Sequence, residues 1–235
     1  MKPLVLVFLL ALTCGCSSSS APATSEPLQT ASLAAATRPA NPLYDTLKLA
    51  DAGLAQPIFE YALQGRTNLH NTHPVLTIAD MSQPSSQKRL YVIDLVKKQL
   101  LFNTYVAHGK NSGDLVPQQF SNTPSSLQTS LGFYRTLNTY MGKHGLSLQL
   151  KGLEKGINNN VQDRNIVLHG ANYVCDDTVR ITGRLGRSEG CPAVPYALSK
   201  PIIQAVKGGS CLFVYAPNTD YLAKSTLLAT RRDTL

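Results

Sequence analysis

The run Gly183-Arg184-Leu185-Gly186-Arg187-Ser188-Glu189-Gly190-Cys191-Pro192 ends a glycine-rich, arginine-bearing loop on a cysteine. Glycines reach backbone conformations closed to other residues, so Cys191 can present its thiol with neighbouring N–H groups free to face an oxyanion. Arg184 and Arg187 are suited to stabilise a thiolate or to hold a substrate carboxylate. The alternative for Cys191, an inert buried thiol, fits poorly with Arg and Glu neighbours. Upstream by 22 positions, Arg164-Asn165-Ile166-Val167-Leu168-His169-Gly170 ends an apolar strand on a histidine, and Gly170 lets the chain turn sharply. A lone histidine at such a rim is more often structural. Paired with Cys191 it becomes a base: His169 takes the thiol proton, Cys191 attacks a carbonyl, and an acyl-enzyme forms. With His before Cys, the order departs from papain-like enzymes, where Cys comes first.

Other polar residues carry less. His108-Gly109 and His144-Gly145 also sit at strand ends and could line a cleft, but turn packing is their default reading. Asp176 and Asp177 could orient His169, although a solvated turn is the simpler account. A zinc site drawn from His169, Cys175, Cys191 and Cys211 has no recognisable ligand spacing, so no metal is expected. Metal-protease, P-loop, dinucleotide and Gly-x-Ser-x-Gly motifs are absent, no cofactor is expected, and the field narrows to Cys and His chemistry.

The surrounding patterns name the elements that must hold these residues. Leu43, Leu47 and Leu49 before Gly53, then Ile58, Phe59, Ala62 and Leu63 before Gly65, predict a helical hairpin over 43–70 with a glycine as stop signal at each end. From Lys88 the periodicity turns β-like. Leu90 to Asp94, a Lys97-Lys98 turn and Leu100 to Val106 read as a hairpin; Leu131 to Tyr140 reads as a strand pair, and Leu146 to Leu150 and Asn165 to His169 as strands. Tyr196 to Val206 is helical, with Pro201 as a point of division, and Lys207-Gly208-Gly209-Ser210 turns into a last strand, Cys211 to Tyr215. The class is mainly β (α+β).

Composition bounds the rest. The chain has 235 residues, 43% apolar and 15% charged, enough for one packed domain with appendages. Lys2 followed by apolar Leu4 to Leu12 is too short to span a bilayer and reads as a secretory signal over 1–16. Gly15-Cys16 resembles a lipoprotein processing site, although Thr13 stands where a large aliphatic is usual; lipidation at Cys16 and simple cleavage both remain open. Residues 17–42 are a Ser/Ala/Thr/Pro tether that cannot bury enough apolar surface to order itself, and 221–235 is a C-terminal tail. The expectation is export to the periplasm or cell envelope, with membrane contact only through that possible anchor. Cys175, Cys191 and Cys211 then make an odd number in an oxidising compartment, so at least one thiol is free or paired outside the chain. A Cys175–Cys211 bond is undecidable from spacing. The net charge of +8, or +7 without Lys2, favours an anionic partner such as a wall polymer or peptide carboxylates. No basic run or nucleic-acid-binding motif is present, so no nucleic-acid partner is expected.

These residues resemble the L,D-transpeptidases of bacterial peptidoglycan, with a YkuD-like catalytic domain in which a His is followed by Ser-x-Gly-Cys. Here these are His169 and Ser188-Glu189-Gly190-Cys191. The likeness extends to the murein branch through Gly183 to Pro195, Lys207 to Phe213, Phe102 to Gly109, Ser130 to Tyr134 and Gly152 to Gly156, covering roughly 43–217. The resemblance implies a catalytic domain over 71–220, a mixed β-sheet sandwich with a short N-terminal helical hairpin and a helix after the cysteine. It implies Cys191 as nucleophile, His169 as base, Gly190 and Cys191 N–H groups as oxyanion donors, Ser188 as shaper of the loop, and a main-chain carbonyl near Gly170 orienting the imidazole. Many members carry Arg or Asn shortly after the cysteine; here Pro192-Ala193 follows, and that task would pass to Arg187 or Arg184. The implied substrate is a peptidoglycan tetrapeptide stem, cleaved at its L-to-D bond by a monomer with loss of D-Ala. An amine acceptor makes a transpeptidase and water an L,D-carboxypeptidase; a non-catalytic peptidoglycan-binding module is the remaining alternative.

Overall fold

A computed structural model of the chain describes residues 41–229. The expected signal peptide, nearly all of the tether, and 230–235 lie outside the described residues.

The fold is mainly β: β1 Val75–Asp80, β2 Leu90–Asp94, β3 Gln99–Thr104, β4 Gly132–Gly142, β5 Gly145–Gly152, β6 Val167–Ala171, β7 Ala193–Pro195 and β8 Cys211–Tyr215. They form one sheet in the order β3-β2-β1-β8-β4-β5-β6-β7. Neighbours run antiparallel except for the pairs β1/β8 and β6/β7, which are parallel. The expected mixed sheet is therefore realised as a single sheet that curls until its two edges nearly meet. Past β3, the Ala107 N–H donates to Ala193 O in β7 at 2.8 Å, the Ser188 N–H to His108 O at 2.9 Å and the Lys110 N–H to Ser188 O at 2.8 Å. These bonds close the sheet at the loop that carries Cys191.

The central strands β1, β2 and β8 are buried along their whole length, the pattern of strands covered on both faces. β1 was not anticipated, although Val75-Leu76-Thr77-Ile78 is an apolar, β-branched run; it is the parallel partner of β8. β8, last in sequence, sits in mid-sheet between β1 and β4. The stretch from 131 to 140 is one strand, not a pair: β4 runs on to Gly142 and pairs with β5, and a register shift between Thr136 and Thr139 gives it an extra residue.

Helices α1 Pro42–Thr46 and α2 Gln56–Asn68 form the expected hairpin. Asn41 caps α1 by accepting the Tyr44 N–H at 3.2 Å. Gly65 is not the stop. α2 continues to Asn68 and Gly65 is buried inside it, because a Cβ there would lie 2.0 Å from Cζ of Phe133. Phe133 stacks on Phe213 at 4.2 Å, so this glycine lets the helix lie close against the central sheet.

Asp176 and Asp177 lie in the first turn of α3 Asp176–Thr182, not in a loose turn, and Asp176 accepts from Tyr105 Oη at 2.7 Å. α4 Tyr196–Val206 carries Pro201 within it undivided and buries Ile202, Ile203 and Val206 against the sheet. The expected tail is part of the fold as far as 229: α5 Thr219–Lys224 buries Tyr221, and Ser225 and Leu228 pack behind it. Tyr221 and Ser225 donate to the buried carboxylate of Glu154, which also accepts the Phe133 N–H at 2.7 Å. Burial raises the Glu154 pKa despite these donors.

Candidate active site

His169 and Cys191 are brought together by the β6/β7 pairing. His169 is in register with Ala193, two residues past Cys191, and with Ser147 of β5 on the other side. Both side chains line one cleft of about 640 Å³, together with Tyr140, His144, Arg164 and Tyr173 among others. His169 is 2% exposed.

The imidazole is held from within its own strand. Nδ1 lies 3.0 Å from the Gly170 carbonyl, and a carbonyl can only accept, so Nδ1 carries the proton and Nε2 keeps its lone pair. This is the main-chain orienter expected in place of a carboxylate. Burial lowers the His169 pKa, with His144 and Lys143 acting in the same direction against the Gly170 hydrogen bond. Burial raises that of Cys191, while the Val167 N–H, Arg164 and Lys143 oppose the rise. The resting pair is therefore neutral thiol and neutral imidazole. Cys191 Sγ receives the Val167 N–H at 3.5 Å and faces Asn165 O at 3.9 Å; neither contact is with the imidazole.

Ser188 folds the loop around the cysteine. Its hydroxyl donates to Cys191 O at 2.6 Å and accepts the Gly190 N–H at 3.1 Å. That second bond occupies the Gly190 N–H, one of the two anticipated oxyanion donors, inside the loop. The Cys191 N–H has no hydrogen-bond partner among the described residues. Gly190 itself is at φ +122°, and a Cβ would meet Gln128 O at 2.8 Å. Only glycine meets both conditions.

The two loop arginines share Asp114: Arg184 Nε at 2.7 Å and Arg187 Nη1 at 3.1 Å, the latter also donating to Gly113 O at 3.0 Å. Arg187 lines the cleft; Arg184 does not. Arg164, beside Cys191, was not picked out from the sequence. It is fastened to Ser121 O, Ser130 Oγ, Ser126 Oγ and Gln128 O, and its only sequence signal is a basic residue just before the His169 strand. His144, read as turn packing, instead stacks on His169 with ring centroids 4.2 Å apart at 19°. His108 is a core residue. It accepts from Arg89 Nη2 at 2.8 Å, faces Gly113 O at 3.3 Å and is fully buried. Cys175, Cys191 and Cys211 are all unbonded, and no cluster of metal-ligating side chains occurs among the described residues.

A family model, the L,D-transpeptidase catalytic domain, matches residues 50–215. The chain belongs to that family. Among solved structures it resembles an L,D-transpeptidase from Mycobacterium smegmatis, at 15% identity and a TM-score of 0.38, over 61% of this chain and 59% of that one. L,D-transpeptidase 3 from Mycobacterium tuberculosis aligns at 13% identity and a TM-score of 0.35, over 61% of each chain. The chain thus spans less than two thirds of the length of these relatives. No curated protein matches it. No helix among the described residues is long and apolar enough to cross a membrane.

Proposed function

We propose that the chain is a cysteine acyl-transferase of peptidoglycan that forms a thioester between Cys191 and the tetrapeptide stem. The carrying observation is the meeting of His169 and Cys191 in one cleft with the imidazole proton committed to Gly170 O. As a stem carbonyl approaches, the thiol proton passes to Nε2 of His169 and Sγ attacks the L-centre carbonyl carbon. The unpartnered Cys191 N–H receives the developing oxyanion, and Arg164 and Lys143 favour the transient thiolate. His169 then returns the proton to the leaving amine, and D-Ala departs. An incoming amine gives up a proton to His169, attacks the thioester and regenerates the thiol.

Ser188 serves as the clamp of the nucleophile loop, with Gly190 giving the clearance that loop needs. Arg187, at the cleft, is the better placed arginine for a substrate carboxylate, whereas Arg184 anchors the loop to Asp114. Residues 1–40 serve as export signal and tether, with Cys16 as the lipid attachment point, and the catalytic domain acts as a monomer in the periplasm.

The test is incubation of the full chain and its Cys191→Ala variant with tetrapeptide muropeptides, products being followed by mass. Crosslinked dimers from the wild type alone establish transfer. Tripeptides without dimers establish L,D-carboxypeptidase action. An absence of any wild-type turnover refutes the enzymatic reading for this substrate.

A further inference from the structure

His169 is nearly inaccessible although it lines an open cleft, and the β4–β5 turn lies against it. β4 and β5 run out to Gly142 and Gly145, and His144 in the turn between them is exposed to solvent while its ring lies flat on the His169 ring at 4.2 Å and 19°. Among the described residues His144 makes no hydrogen bond or ion pair, so the stack is its specific contact. The imidazole of His169 has one edge tied to Gly170 O. A single hydrogen bond leaves a ring free to rock, whereas a second ring against its face removes that freedom and excludes water from it.

We propose that His144 is a positioning residue for the catalytic base, its ring serving as a cover that dries the His169 imidazole and holds it in the orientation Gly170 selects. The inference rests on the reading of His169 as general base. The titratable and charged groups of the cleft are Tyr140, Lys143 and His144 from the hairpin, Arg164 before β6, Tyr173 after it, and Arg187, Glu189 and Cys191 from the nucleophile loop. Of these, His144 and Lys143 act on His169 in the same direction as burial, opposing its protonation. A base kept dry remains unprotonated at a pH where an exposed histidine, with an ordinary pKa of about 6.5, is partly charged.

The test is an NMR titration of the His169 ring protons in the full-length folded protein, which reads the base directly and needs no turnover. The wild-type midpoint is expected below the ordinary histidine value. His144→Ala, which uncovers the face, is expected to raise that midpoint and to move the acid limb of kcat/KM upward with it. His144→Phe retains a flat ring and is expected to keep the low midpoint and most of the activity. An unchanged midpoint in His144→Ala overturns the proposal, as does a rise in His144→Phe equal to that in His144→Ala, which would assign the effect to charge. Failure of the wild type to process muropeptides would leave this titration readable, so the two readings fall separately.

Discussion

The hydroxyl of Ser188 donates to the carbonyl oxygen of Cys191 at 2.6 Å, closing a turn of the backbone around the cysteine. The Ser188 hydroxyl oxygen in turn accepts the Gly190 N–H at 3.1 Å, so one side chain satisfies two backbone groups of the loop. Ser188 is 5% exposed, and its removal leaves both groups with poor access to water. Ser188→Ala is expected to lower stability by about 1–3 kcal/mol, the cost of buried polar groups left unpaired. Thermal unfolding checks this as a drop of several degrees. Loss of muropeptide turnover should exceed what the folded fraction explains, since the Cys191 N–H loses its fixed direction.

The thiol and imidazole pKa values are pushed apart in the order that leaves both groups neutral at rest: Cys191 upward and His169 downward, each chiefly by burial. Alkylation of Cys191 by iodoacetamide should therefore be slow at pH 7 and still rising above the ordinary cysteine range of about 8.5. His169→Ala is expected to slow alkylation at neutral pH several-fold, because the thiol loses its proton acceptor. An unchanged rate would assign thiolate activation to Arg164, Lys143 and the loop dipoles instead.

His108 links pH to stability. Burial and the facing Arg89 lower its pKa to about 4, well below the ordinary histidine value of about 6.5. The unfolded chain then binds the proton first, so the stabilisation is complete above about 6.5 and is lost as pH falls through about 4. The interval corresponds to about 3 kcal/mol. Urea denaturation at several pH values should show wild-type stability falling across this window, and His108→Gln should flatten the slope while lowering stability at pH 7. A slope unchanged by the substitution would place the acid sensitivity elsewhere.

Gly65 sets helix propensity against packing. Alanine in a helix interior ordinarily gains about 1 kcal/mol over glycine. Here the added Cβ meets the Phe133 ring at 2.0 Å, and overpacking a core costs about 1–3 kcal/mol or more. Gly65→Ala is expected to destabilise, and Phe133→Leu in the same chain to restore part of the loss. A double-mutant cycle measures that coupling.

The proposed chemistry could be formulated before the fold because it rests on local runs. Gly-Cys after an Arg-Ser pair and a histidine closing an apolar strand need only residue type and spacing, and the expectations of a signal, a tether and an odd thiol need only composition. The hairpin helices, β2, β3, β5, β6, β8 and α4 were legible for the same reason. Sequence alone did not reveal what depends on approach between distant segments. Gly65 looks like a helix stop until Phe133 is placed against it, and β1 gains its meaning from pairing with β8 at the far end of the chain. Arg164 acquires its role only when the loop from 121 to 130 folds around it. His144 shows the division most plainly: its neighbours in sequence mark a turn, and only the pairing of β5 with β6, which sets Ser147 opposite His169, lays that turn on His169. Residue identity supplies the reactive groups, whereas their protonation states depend on burial, which belongs to the whole sheet and not to any short run within it.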